Sequence, residues 1–451
     1  MAKNRIEYVC QSCGATSPKW VGQCADCGAW NSLIETPAAP RLARAGGMSG
    51  TAGGGVRRLS EVGAEPAPRL ATGLIEVDRV FGGGIVAGGV CLLGGDPGIG
   101  KSTLLLQVLS ALQGRASTLY VTGEESLAQV HLRAQRLGLT NLDVPVLAET
   151  SVEQILAQLA QLKPDFVVID SVQTLYTEAL DSAPGSVSQL RESAARLVRH
   201  AKLHRTAIVL VGHVTKDGAI AGPRVLEHMV DTVLYFEHDA GSRYRIVRAI
   251  KNRFGAVNEL GVFAMTDTGL KEVGNPSALF LSRHGDPVPG SVITVVRQGS
   301  RPLLVEVQAL VDRSLVGAPR RVTLGLENNR LNMLLAVLHR HGGIALGDQD
   351  VFANVVGGMR IQETAADLPL LLAVLSSFRS RPWPCDTVVF GEVGLAGEVR
   401  PVAGGEERLA EAAKHGFKHA IVPHANKPRR GAKLDIDVVP VTRLDQALER
   451  L

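Results

Sequence analysis

Gly95-Asp96-Pro97-Gly98-Ile99-Gly100-Lys101-Ser102, followed by Thr103, has a glycine, four residues, then Gly-Lys-Ser. The chemistry open to this pattern is phosphate binding. Glycines let backbone N–H groups turn inward around phosphate oxygens, and a helix opening near Lys101 adds the positive end of its dipole. Lys101 would meet the β and γ phosphates, and the Ser102 hydroxyl would hold Mg²⁺. The expected ligand is a nucleoside triphosphate.

Hydrolysis also needs a carboxylate that orients and deprotonates water. Gly123-Glu124-Glu125-Ser126 follows 117–122, which reads as a second strand. Glu124 is the choice for the base, with Glu125 second, because Glu125 serves equally well as first-turn charge for the helix that follows. Phe166-Val167-Val168-Ile169-Asp170 is an apolar run closing on an acid, the shape of a Walker B strand. Asp170 would join Ser102 around Mg²⁺. His213, after the run 207–212, can sense the γ-phosphate or be a buried, satisfied histidine. Lys251 and Arg253 fall on one face of a strand by its period of two, so both can reach one anion. That anion is either nucleotide on a neighbouring subunit or nucleic acid, and a solvated basic strand end fits the charges as well.

A second chemistry lies at the start of the chain. Cys10 and Cys13 form one Cys-x-x-Cys knuckle, Cys24 and Cys27 another, with ten residues between. Four thiolates so spaced close a tetrahedral Zn²⁺ site with no open position, so the metal is read as structural. Trp20 and Trp30 flank the second knuckle; such residues more often cover a small metal core than stack on bases.

These residues need elements to place them. Val90-Cys91-Leu92-Leu93 reads as a buried strand before the phosphate loop and 104–109 as the helix after it. Runs 117–122, 166–170 and 207–212 supply further strands, each delivering a polar residue at its end. Polar, glycine-bearing stretches at 181–189 and 216–224 are loops that would line a ring's channel and grip a strand, with Lys216 and Arg224 as phosphate partners. Ala-, Pro-, Gly- and Arg-rich composition over 36–58 marks a tether ending in Arg57 and Arg58. The expected organisation is a zinc module at 1–35, the tether at 36–58, an ATPase domain at 59–273 and a further domain at 274–451.

Residues 1–60 carry seven basic and three acidic side chains and so hold the whole formal charge of +4. Charge alone therefore gives no argument for nucleic acid. No run approaches eighteen apolar residues and the first seven residues lack a signal peptide's apolar core, so a cytoplasmic protein with no membrane partner is expected.

Taken together, the cysteine knuckles, Gly95 to Ser102, Tyr120-Val121-Thr122-Gly123-Glu124-Glu125-Ser126, Phe166 to Asp170 with Ser171-Val172-Gln173-Thr174, Gly212 to Lys216 and Lys251-Asn252-Arg253-Phe254-Gly255 resemble the bacterial RadA (Sms) family over nearly the whole chain. The resemblance implies an α/β protein with a RecA-like P-loop core and hexameric rings. It further implies ATP hydrolysis stimulated by single-stranded or branched DNA, and branch migration alongside the RecA recombinase.

The part from about Asn275 on resembles the proteolytic domain of the Lon family, an α+β fold whose Ser and Lys dyad cleaves peptides. Here the Ser position falls on Ala365 and the Lys position on Glu407. Without that hydroxyl and amine the dyad's acyl transfer is impossible, leaving a scaffold. Arg313, Arg320, Arg321, Lys427, Arg429 and Arg430 either form a DNA platform on it or a solvated face.

Overall fold

The computed structural model describes residues 6–11, 15–17, 19–37, 68–139, 143–213, 224–238, 244–281, 287–314, 317–429 and 434–451. Most of the expected tether, with Arg57 and Arg58, lies outside them, as do Cys13, Lys216, Arg430 and the side chain of Arg224. The chain divides into two compact units, Met1–Val273 and Gly274–Leu451. Among the described residues no helix is long and apolar enough to cross a membrane.

The first unit begins with a three-stranded antiparallel ribbon, Ile6–Cys10 (β1), Thr16–Ser17 (β2) and Leu33–Pro37 (β3), in the order β2-β1-β3. Its buried cluster is Cys10, Cys24 and Leu33, with Tyr8, Ala15 and Val21 against it. So small a core leaves no room for indoles, and the covering role expected of the tryptophans does not hold. Trp20 is 53% and Trp30 71% exposed, and both rings stand within 4 Å of the Cβ site of Gly22.

Near-continuous apolar runs build the main sheet of this unit because both its faces are covered. Its parallel strands are Val90–Gly95 (β4), Thr118–Thr122 (β5), Val146–Ala148 (β6), Phe166–Asp170 (β7), Ala207–His213 (β8) and Thr232–Glu237 (β9). Tyr244–Asn252 (β10), Leu260–Thr266 (β11) and Gly269–Glu272 (β12) extend it antiparallel. The order is β12-β11-β10-β9-β4-β8-β7-β5-β6. Helix α1, Lys101–Leu112, packs on one face through Leu105, Leu109 and Leu112 beside Cys91 and Leu93 of β4. Helices Val152–Leu162 (α2) and Val187–His204 (α3) cover the other through Ile155, Leu159 and Leu197 beside Val90 and Leu92. Alternate residues of β4 thus face two separate cores.

The stretch 181–189, read as a loop, is partly helix: α3 starts at Val187, and Gln189 is buried. Gln189 Nε2 has the carbonyls of Thr177, Leu180 and Ser182 within hydrogen-bond reach of its two N–H groups, fastening the turn to the helix that follows. An amide with this many backbone partners in reach is a brace.

In the second unit Ser291–Gln298 (β13) and Arg301–Arg313 (β14) form a long hairpin, joined by Arg321–Leu324 (β15) and Gln349–Val355 (β16) on one side. Thr387–Val389 (β17), His419–Pro423 (β18) and Asp437–Val441 (β19) complete the order β15-β16-β14-β13-β17-β18-β19. Helix α4, Asp367–Phe378, is buried from Asp367 to Ser376, so it is apolar all round.

Arg408, on the helix Gly405–Lys414 (α5), is 1% exposed and forks onto both oxygens of Glu363 at 2.9 and 2.6 Å. Its Nε donates to the Ala403 carbonyl at 2.9 Å. Removing one partner of such a pair leaves an uncompensated buried charge. Glu363→Ala is expected to destabilise this unit by about 2 to 3 kcal/mol, read as a lower urea midpoint. An unchanged midpoint would show that the backbone carbonyls suffice.

Candidate active site and metal centre

Strand register sets the site. Gly95 at the end of β4 pairs with His213 at the end of β8, and Thr122 of β5 pairs with Asp170 of β7. Four parallel strands therefore stop along one rim, the carboxyl edge where open α/β sheets hold ligands.

The loop Gly95–Gly100 leaves β4 with Gly95 at φ 155° and Gly98 at φ 76°, conformations that favour glycine. A Cβ on Gly95 would meet Phe236 at 2.9 Å, whereas the Cβ position of Gly98 has no atom within 4 Å. The loop is thus packed on its inner side and open on its outer one. Asp96 and Pro97 are exposed, and Ile99 is buried as the loop's anchor. At the start of α1, Gly100 provides no side-chain cap and no acid occupies the first turn. Its first N–H groups stay available to an anion.

Lys101 is 3% exposed. Its Nζ donates to the carbonyls of Gly95 at 2.7 Å and Asp96 at 2.9 Å, and lies 3.3 Å from His213 Nδ1. Burial pushes this ammonium down to about 8, against the pull of Asp170, Asp96 and Glu124. Ser102 and Thr103 are half-buried on the first turn. Across the rim Tyr120 Oη donates to Asp170 Oδ2 at 2.7 Å, which orients that carboxylate and leaves Oδ1 for another partner. Burial, then the Asp170 charge, holds the Tyr120 phenol well above its ordinary range, so it remains a donor. Tyr120 was assigned no role from the sequence; its signal was a phenol at the centre of a strand that ends beside the phosphate loop.

The two glutamates part company. Glu125 pairs with Arg133 on the helix Leu127–Arg136, and its N–H is capped by Thr122 Oγ1 at 3.0 Å. Glu124 faces the rim, accepting from Ser171 Oγ and lying 3.2 Å from His213 Nε2. If Lys101 donates to Nδ1, the Nε2 proton points at Glu124, so His213 joins the loop lysine to the acid.

Lys251 and Arg253 are not on this rim. β10 runs antiparallel to β9, and Asn252 pairs with Thr232, which pairs with Cys91 near the start of β4. Four residues separate Cys91 from Gly95, about 13 Å along a strand. Lys251 Nζ donates to the Glu227 carbonyl and, at 2.8 Å, to that of Val230. Burial and then the Arg253 charge lower its pKa. Arg253 pairs with Asp231 Oδ1 at 3.2 Å, an acid distant in sequence, yet stays 57% exposed.

At the ribbon the sulfurs of Cys10, Cys24 and Cys27 lie within 4.8 Å of one another, and Cys13 lies outside the described residues. Three soft donors converging in a ribbon with almost no core fit a Zn²⁺ ion. The rim likewise fits a magnesium triphosphate: open loop, uncapped helix start, buried lysine and an oriented aspartate.

In the second unit Ala365 is buried and Glu407 is an exposed carboxylate on α5. Arg320 binds Asp350 and stands over the Phe352 ring, and Arg321 donates to the carbonyls of Gln349 and Leu346.

Family models match three stretches of the chain: an AAA domain at 57–219, a rubredoxin metal binding domain at 8–35 and subunit ChlI of Mg-chelatase at 304–426. A DNA repair protein RadA of Pseudomonas aeruginosa is 62% identical over 453 residues, covering 100% of both chains. This chain belongs to the RadA family of DNA repair proteins. The Escherichia coli RadA protein is 56% identical over 447 residues, covering 98% of this chain and 97% of its own. The Bacillus subtilis RadA protein is 48% identical over 458 residues, covering 99% of each. As a RadA-family chain it is an ATPase with an N-terminal zinc ribbon, a RecA-like core and a Lon-like C-terminal domain, and its cofactors are ATP, Mg²⁺ and Zn²⁺.

Proposed function

We propose that this chain is a DNA-dependent ATPase motor that works in the cytoplasm as a homo-oligomeric, hexameric ring. It drives branch migration of recombination intermediates together with the RecA recombinase. The observation that carries the reading is the meeting of Lys101, Glu124, Asp170 and His213 along one sheet rim, with Lys251 and Arg253 on the other. A cation pair about 13 Å from its own phosphate loop is suited to a neighbouring copy's nucleotide or to DNA.

In the proposed mechanism the N–H groups of the loop Gly95–Gly100 and of the first turn of α1 bind phosphate oxygens. Lys101 Nζ adds a charged donor at the β and γ phosphates. Ser102 and Asp170 would hold Mg²⁺, which when bound would supply neutralisation of phosphate charge. Glu124 takes a proton from the attacking water at Oε2 as the water oxygen reaches the γ-phosphorus and ADP departs. His213, touching both Lys101 and Glu124, registers the phosphate and passes it on along β8. The cycle moves the turn after Ser171, so that the ring pulls on single-stranded DNA.

Turnover with and without single-stranded DNA tests the motor, together with strand displacement on branched substrates. Stimulation and salt-sensitive binding are expected; their joint absence would leave a RecA-like regulator of protein partners. Arg253→Ala is expected to lower DNA-stimulated turnover about a hundredfold, less than the roughly 10³- to 10⁵-fold of a full arginine finger because Asp231 already shares its charge. Wild-type turnover and DNA binding in that variant would make the Lys-Asn-Arg-Phe-Gly motif structural. A peptidase reading finds no support at Ala365 and Glu407, and casein should stay intact with ATP present.

A further inference from the structure

Both contacts to the Glu124 side chain fall on one oxygen. Ser171 Oγ donates to Oε1, and His213 Nε2 lies 3.2 Å from the same atom. Among the described residues Oε2 has no hydrogen-bond partner, and the side chain is 41% exposed. Ser171 itself has no exposed surface, so it touches neither bulk water nor substrate.

The turn that carries Ser171 is built to hold this contact. Thr174 Oγ1 donates to the Ser171 carbonyl at 2.9 Å, and Gly123 N donates to the Asp170 carbonyl at 2.8 Å. A Cβ on Gly123 would fall 2.0 Å from Thr174 Oγ1, so the segment bearing Glu124 lies directly on the Ser171–Thr174 turn. Gln173 Nε2 donates to the His213 carbonyl at 3.2 Å, tying the end of β8 to the same turn. One short turn therefore locates both groups that touch Oε1. The charged and titratable groups bearing on the glutamate are His213 from β8 and Lys101 from α1, the latter also drawn by Asp170 and Asp96.

We propose that Ser171 is a positioning residue for ATP hydrolysis: its hydroxyl fixes Oε1 of Glu124 and so turns Oε2 toward the attacking water. The inference rests on Glu124 acting as the base. Ser171 acts only through Glu124, which separates this role from a scaffold role.

The test is single-turnover hydrolysis by Ser171→Ala, Glu124→Ala and the double variant, with the affinity of each for a fluorescent ADP. Ser171→Ala should lower the rate about tenfold, with KM for ATP and ADP affinity within about twofold of wild type. In the Glu124→Ala background the same change should have no further effect, since coupled residues are not additive. An equal loss in both backgrounds, an unaltered rate in Ser171→Ala, or a collapse of ADP affinity would each overturn the inference. Hydrolysis at the wild-type rate by Glu124→Ala would instead remove the base assignment itself.

Discussion

Lys101→Ala is expected to lower ATP turnover at least about a thousandfold while the chain stays folded. The ammonium lies against the loop on the rim, reaching the Gly95 and Asp96 carbonyls and His213 Nδ1. Among the described residues it makes no ion pair, although Asp170, Asp96 and Glu124 attract it from further off. Burial already pushes it down to about 8, so truncation also removes a costly buried charge. Stability should therefore change by less than about 1 kcal/mol, while the charge that meets the γ-phosphate disappears. Turnover and a thermal melt check the two parts. Turnover within about tenfold of wild type would refute the phosphate assignment.

Cys24→Ser should cost the ribbon its metal and its fold together. The buried cluster there is Cys10, Cys24 and Leu33, and three sulfurs converge within 4.8 Å. Structural zinc contributes on the order of 10 kcal/mol, far more than so few apolar side chains supply. A serine hydroxyl is a poor replacement for a thiolate. Zinc content should fall from about one ion per chain to none, with new protease cuts within 6–37. Retained zinc with an intact ribbon would refute the thiolate reading.

The sequence was most legible where chemistry demands a particular residue at a particular spacing. The phosphate loop, the run closing on Asp170 and the cysteine knuckles are such places. Strand ends were legible too, because uninterrupted apolar runs such as Ala207–Val211 stop at a polar residue. Harder were contacts between residues distant in the chain. Nothing near Arg253 in sequence announces Asp231, since a bulge in the β9–β10 pairing and the antiparallel return of β10 bring them together. Likewise the choice between Glu124 and Glu125 rests on Arg133 claiming one and Ser171 the other. The hairpin β13–β14 was missed because its apolar stretches could belong to either helix or strand. Trp20 and Trp30 were misjudged because composition does not say how little interior a ribbon has.

β4 is six residues long, buried throughout and flanked by β8 and β9. One tip bears the phosphate cradle. At the other, Asp231 receives the Val90 N–H at 3.1 Å and also clasps Arg253. A strand so confined is close-packed along its whole length, and close-packed interiors have low compressibility and transmit strain. Arg253, through Asp231, and Gly95 thereby stand at the two ends of one stiff strand.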